Sequence, residues 1–317
     1  MVAQNNCTTN TSRRQDSVYP NSLIITSTFS VLGLPGNALI IILILRAKQR
    51  KSTTTCLLLS LAIADIVLLL GTQIVQVLVY LKKNECYEGP KFSFLLTVPK
   101  IVGNVTLATI ALERYNALVR TMKRSLISIT KKKILISVVI TWFIALVLCV
   151  PLYYSDKPRE AITSGNRKPP KEFFFYFSIF HIFIGYFIPL VMVVCCYSSI
   201  LKGLHFDRTI LAQTVTDEAR LRENKRLVRV LVGITLVCLA CNLPIIAIIM
   251  VMVYREKQKR HMIFNAIGIL GCVSSSLNPY IYGLQSENYR NQVKQLFCSK
   301  KEDEHARCSH ANFDTKL

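Results

Sequence analysis

The chain has 317 residues, of which 51% are hydrophobic and 18% charged, and its mean hydropathy is +0.38. Such a composition excludes an ordinary soluble globular protein and a disordered one. The formal net charge of +21 asks for an anionic neighbour, and lipid headgroups meet that need without nucleic acid.

Seven apolar stretches follow one another, at 22–45, 54–81, 92–118, 134–154, 173–201, 226–253 and 262–284. Each can cross a hydrocarbon core of about 30 Å, which takes about 20 helical residues. The runs are continuous and not alternating, so helices are expected and barrel strands are not. The predicted fold is all-α: a seven-transmembrane helix bundle over 22–284, then a short amphipathic eighth helix over 285–298. The first 21 residues are polar and lack the apolar core of a cleavable signal, so the first span is expected to act as its own insertion signal. Residues 299–317 read as a disordered polar tail.

Two cues set the orientation. Of the 39 Lys and Arg, 24 fall in 46–52, 114–133, 202–229 and 284–317. Another 14 fall in 1–21, 82–91, 155–171 and 255–260, and the last is Lys100 inside span three. The richer side is expected to face the cytoplasm. Asn6-Cys7-Thr8 and Asn10-Thr11-Ser12 are glycosylation sequons, and they place Asn6 and Asn10 outside in agreement with the charge. A third sequon, Asn104-Val105-Thr106, lies within a span and is discounted. Of 11 cysteines, Cys7 and Cys86 lie on the oxidising outer side, where they are the candidate disulfide. The outer face is itself basic, which reads either as the general basicity of the chain or as steering of an acidic ligand.

The residues inside the spans carry the rest. Asn37 in span one, Asp65 in span two and Asn278 in span seven sit at comparable depth and can satisfy one another. They form either a static polar clamp or a hydrated, ion-binding core. Lys100 lies in span three after Pro99. Burying an ammonium is costly, so it either pairs with Asp65 or anchors an anion. Glu113 and Arg114 close span three, and Glu113 can hold Arg114 near the boundary. Pro151, Pro189, Pro244 and Pro279 lie in or at the ends of spans four to seven, where neighbouring helices must re-satisfy freed carbonyls. Pro244, above a basic inner extension, is placed to act as a hinge. His181 in span five is a lone histidine on an aromatic face, with no metal-ligand spacing around it. Beyond the spans, Tyr289, Val293, Leu296 and Phe297 share one helical face opposite cations, the pattern of an interfacial helix. Cys298 follows it as a palmitoylation candidate or an ordinary thiol. No nucleophile–base pair or phosphate loop is visible, so an enzyme is not expected.

In order, one per span, the chain shows Gly36-Asn37, a Leu-Ala-x-Ala-Asp run ending at Asp65, Glu113-Arg114-Tyr115, Trp142, Pro189 with Tyr197, Cys241-x-x-Pro244 and Asn278-Pro279-x-x-Tyr282. With these motifs the chain resembles the rhodopsin-like G-protein-coupled receptors over roughly 22–298. The resemblance implies a plasma-membrane receptor with its N-terminus outside. Its partners would be an extracellular ligand, a heterotrimeric G protein, arrestin, a receptor kinase and anionic lipids. It implies that Arg114 meets the G protein once helix six swings out, that Tyr197 and Tyr282 turn inward, and that Met122 inserts into the G protein. It also implies a sodium ion near Asp65, with Asn37, Ser274, Ser275 and Asn278 around it.

The departures bear on the ligand. Asn242 stands where the family has a tryptophan, and Cys238 where it has another aromatic, so the usual aromatic toggle is in doubt. Gly103 replaces a serine beside the sodium site. The second outer loop, 155–171, has no cysteine, so the usual bridge to it cannot form. Asn224 replaces an acid that locks Arg114, which predicts a loose resting state. Leu96 stands where amine receptors carry aspartate, so an amine ligand is not expected. Cys272 stands where visual pigments hold retinal on lysine, and no cofactor is expected. Leu96, Lys100, His181, Asn242 and Cys272 are the ligand-binding candidates, and a peptide or an anionic molecule is the expected ligand. The rivals are an opsin-like photoreceptor without the usual lysine and a membrane transporter. A transporter would show inverted repeats or several midplane charges, and neither is visible.

Overall fold

A computed structural model describes residues 11–46, 53–81, 93–116, 131–155, 171–206, 232–233, 235–248, 260–285, 289–291 and 293–295. All described elements are helical, and seven of them make the bundle. In chain order these are α1 (Thr11–Arg46), α2 (Thr53–Leu81), α3 (Ser93–Tyr115) and α4 (Lys131–Ser155). Then come α5 (residues 171–206), α6 (Thr235–Ile248) and α7 (Arg260–Gln285). By length and composition, five are apolar enough to cross a membrane. The described part of α6 is shorter. Helix α7 carries Asn265, Ser274, Ser275, Ser276 and Asn278, all buried.

The described helices overlap the expected spans, and α1 starts earlier, at Thr11, while α5 runs on to Phe206. Helix α1 there continues past the apolar stretch into its polar flank. Span six was expected over 226–253, and the structure describes only 232–233 and Thr235–Ile248 of it. Of the expected eighth helix the structure describes 289–291 and 293–295, both helical. Tyr289 packs against the small cluster formed by Ile40 and Ala62, as the apolar face of that segment predicts.

Polarity runs opposite to that of a soluble protein. Val31, Val139, Phe143, Val147 and Leu236 are exposed, while Asn37, Asp65, Lys100, Asn104, Asn242 and Asn278 are buried. Outward apolar side chains suit lipid, and inward polar ones must be satisfied by other helices. Helix α3 is the central member. It packs against α2, α4 and α5, and 61% of its apolar window is buried inside the protein against 17% for α4. One main cluster joins α2, α3, α4 and α5 through Leu57, Leu61, Ile110, Ile134, Val193, Tyr197 and Ile200.

Helices α1 and α7 approach closely because α1 offers no side chain there. A Cβ on Gly36 would lie 2.6 Å from Cγ of Pro279. One on Gly33 would lie 2.7 Å from Leu69 Cδ1 and from Ser276 Cβ. Association in lipid has little hydrophobic drive, so small residues that allow backbone contact do the packing.

Helix α5 is interrupted. Its segments Lys171–Ile182 and Ile188–Phe206 are joined by a π-helical turn, Phe183–Phe187. Pro189 follows that turn and has no N–H, so the carbonyl four residues earlier, on Gly185, loses its helical donor.

Candidate functional site

Two prolines create the polar interior. Pro189 frees the carbonyl of Gly185, and the Nδ2 of Asn104 on α3 donates to it at 3.1 Å. Pro279 frees the carbonyl of Ser275 in the same way, and the Nδ2 of Asn37 on α1 donates to it at 3.1 Å, with Gly33 O a second acceptor at 3.0 Å. Each broken helix is thus repaired by an asparagine from its neighbour, the compensation that membrane helices need.

The repaired carbonyl on α5 belongs to a three-helix junction. Asn104 donates to Gly185 and accepts, through Oδ1, from the Nδ2 of Asn242 on α6 at 3.2 Å. Asn242 is 1% exposed. It also donates to the Sγ of Cys238 at 2.8 Å, and its own Oδ1 has no partner. The residues that break the aromatic toggle, Asn242 and Cys238, therefore meet each other and α3. The sequence reading missed Asn104, which it had set aside as an unused sequon. The signal was present: a proline four residues after Gly185 frees a carbonyl, and a mid-span asparagine is the donor in reach.

Below it lies the acidic centre. The Nδ2 of Asn278 donates to Asp65 Oδ2 at 2.8 Å. The Ser275 hydroxyl interacts with the same carboxyl group, and the Lys100 ammonium acts on it through space. Asn37 was expected to share this cluster directly. Instead it serves the Ser275 carbonyl, because the close α1–α7 contact at Gly33 and Gly36 brings it to that backbone. Ser274 is buried beside them.

The sodium ion that the resemblance implied can be tested against these groups. A hard cation takes oxygen lone pairs. The Asp65 carboxylate and the Ser275 hydroxyl supply such oxygens, and the Oδ1 of Asn37, beside Ser275, is buried without a partner, whereas Gly103 brings no side-chain oxygen.

At the inner end, Glu113 and Arg114 share a tether on α2. The Thr54 hydroxyl lies 2.9 Å from Glu113 Oε2, and Thr53 donates to Glu113 Oε1. Arg114 donates through Nη2 to the Thr54 hydroxyl. The direct Arg114–Glu113 pair is long, at 4.0 Å, so the α2 threonines, which the sequence reading did not single out, hold both residues. Tyr115 is half-buried against the main cluster, and Tyr197 is buried within it. The Tyr197 hydroxyl feels the Arg114 charge. Tyr282 lies in the last turn of α7.

The ligand candidates are less open than expected. Leu96 packs with Leu68 and Val75 of α2, and Cys272 is fully buried against Ser30 and Thr72. His181 is buried near the rings of Phe177 and Tyr186. Higher up, Ser22 donates to Gln76 Oε1 at 3.3 Å and Gln76 donates to Asn265 Oδ1 at 3.2 Å. That chain ties α1, α2 and α7, and the sequence reading did not mark it. Trp142 of α4 donates to Ser60 of α2 at 3.3 Å. Among the described residues no cluster of His, Cys, Asp or Glu could hold a metal. Pro244 is exposed on α6. Asn6, Cys7, Asn10, Cys86, Met122, Asn224 and Cys298 lie outside the described residues.

Residues 36–282 match the family described as 7 transmembrane receptor (rhodopsin family). The somatostatin receptor type 5 of Bos taurus is 26% identical over 282 residues, covering 85% of this chain and 74% of the relative. The galanin receptor type 1 of Homo sapiens is 26% identical over 296 residues, covering 90% and 84%. The C-X-C chemokine receptor type 1 of Oryctolagus cuniculus is 24% identical over 303 residues, covering 88% and 79%. The chain belongs to the rhodopsin family of seven-transmembrane receptors. It is a multi-pass membrane protein and a ligand-sensing G-protein-coupled receptor, not an enzyme.

Proposed function

We propose that the protein senses a peptide or anionic ligand at the cell surface and activates a heterotrimeric G protein by moving α6 outward. The peptide reading rests on its similarity to receptors named for somatostatin, galanin and chemokines. The ligand acts by binding the open arrangement more tightly than the closed one. The N-terminus faces outward, carrying glycans on Asn6 and Asn10, and Cys7 bridges Cys86. The C-terminus faces the cytoplasm, where arrestin and a receptor kinase act and the basic inner surface meets anionic lipids.

The observation that carries the reading is the tether of Arg114 and Glu113 to Thr54 on α2. In this reading Arg114 leaves the tether when α6 moves away and becomes available to the G protein. Tyr197 and Tyr282 then turn inward to support the opened end, and Met122 docks against the partner. A cell-based screen of peptide and acidic ligands for G-protein activation tests it, with Arg114→Ala as control. Activation by a ligand in the wild type and its loss in Arg114→Ala, at equal surface level, is the expected result. A ligand that binds the wild type and activates Arg114→Ala equally well refutes it.

A further inference from the structure

We infer that the π turn of α5 is a movable one-residue insertion, pinned by Asn104, that sets which residues the first part of the helix buries. The turn, Phe183–Phe187, is closed by the N–H of Ile188 on the carbonyl of Phe183. Such a turn holds one residue more than a regular one. An extra residue in an unbroken α-helix would rotate everything beyond it by about 100°. The π turn absorbs that rotation, so Lys171–Ile182 and Ile188–Phe206 each keep their own buried face.

An absorbed residue can pass along a helix as hydrogen bonds to the fifth residue back are exchanged, one at a time, for bonds to the fourth. The two directions are unequal. Passing toward Phe206 would turn Val193, Tyr197 and Ile200 out of the main cluster. Passing toward Lys171 moves only the short segment before the turn. Phe183 then takes the place of Ile182, Ile182 that of His181, and His181 that of Phe180. The step moves His181 from a buried place to one that is 49% exposed, and buries Phe183, now 50% exposed. What holds the turn is α3. A Cβ on Gly185, at its centre, would stand 3.0 Å from Ile101 Cγ1. The Gly185 carbonyl, freed by Pro189, accepts from Asn104 Nδ2 at 3.1 Å. Asn104 in turn accepts from Asn242 of α6 at 3.2 Å, so the pin is shared with α6. Its use in signalling rests on the function proposed above, whereas the pinned turn stands on these contacts alone.

The test removes one residue. Deleting Ile184 takes the extra residue out of the turn and leaves both flanking faces in register. Deleting Val67, which is 40% exposed in the regular helix α2, rotates the rest of α2 by about 100°. The Ile184 deletion is expected at the cell surface at about half the wild-type level or more, with Tm within about 3 °C, and the Val67 deletion is expected to be nearly absent. Hydrogen exchange of the full-length receptor in detergent reads the movement. Amides of 176–183, measured against those of α2, are expected to exchange about tenfold faster in the wild type than without Ile184. Asn104→Leu removes the pin and is expected to speed the same amides by about threefold or more, again against α2. General loosening by that variant would instead speed both helices. An Ile184 deletion as poorly delivered as the Val67 deletion overturns the inference. So does equal exchange with and without Ile184, or no selective acceleration in Asn104→Leu. These readouts need neither ligand nor G protein, so a receptor silent in the signalling screen counts against the proposed function and not against the pinned turn.

Discussion

Asn242 is the most informative residue to change, because it carries a buried hydrogen bond between α6 and α3. Asn242→Leu keeps the approximate volume and removes the amide. The variant loses the 3.2 Å bond to Asn104, while Asn104 keeps its 3.1 Å bond to the Gly185 carbonyl. An interhelical hydrogen bond in a membrane protein averages about 0.6 kcal/mol and reaches about 1.7 kcal/mol. The bond exists only while α6 lies against α3, so its loss raises the open-to-closed ratio by about threefold to about twentyfold. The substitution also removes the Oδ1 of Asn242, which has no partner, so stability need not fall with it. Ligand-free G-protein activation, divided by surface receptor, is expected to rise by at least about threefold. Asn104→Leu removes the same bond and also orphans the Gly185 carbonyl, so it is expected to lower Tm as well. The double variant is expected to signal no more than the stronger single, because both act on one bond. Unchanged or reduced basal signalling in Asn242→Leu at normal surface level refutes the reasoning.

Three further outcomes follow from the packing and the tether. Gly33→Ala places a Cβ 2.7 Å from Leu69 Cδ1 and 2.8 Å from the Cα of Ser276. Overpacking of about 1–3 kcal/mol outweighs the helix gain of about 0.5–1 kcal/mol, so surface level and Tm are expected to fall; a more thermostable variant contradicts this. Thr54→Val removes the hydroxyl that links Arg114 and Glu113 to α2. At about 1 kcal/mol for the lost bond, basal signalling is expected to rise about fivefold, measured as G-protein activation without ligand. Asn224→Glu supplies an acid for Arg114 and is expected to lower basal signalling; no change in cells rejects the loose resting state.

Much of the architecture was legible from hydropathy alone. Each span must hide its own backbone hydrogen bonds from lipid, and only a long apolar helix does so. The motif residues Asn37, Asp65, Arg114, Asn278 and Pro279 were also visible, since charged and amide groups and prolines stand out in an apolar run. The partners were less visible. The sequence placed Asn37 with Asp65, and the fold gave it to the Ser275 carbonyl. It matched Arg114 with Glu113, and the fold put Thr54 between them.

What the sequence by itself determined is the number and kind of spans, the polar residues inside them and the prolines that interrupt them. Only the tertiary structure decided which freed carbonyl meets which donor. Asn104 and Gly185 are 81 residues apart, and Asn37 and Ser275 are 238 apart. Such pairs are set by how closely two helices approach and how each is rotated about its axis. Both depend on features no local pattern records, such as the bare backbone at Gly33 and Gly36 and the π turn before Pro189.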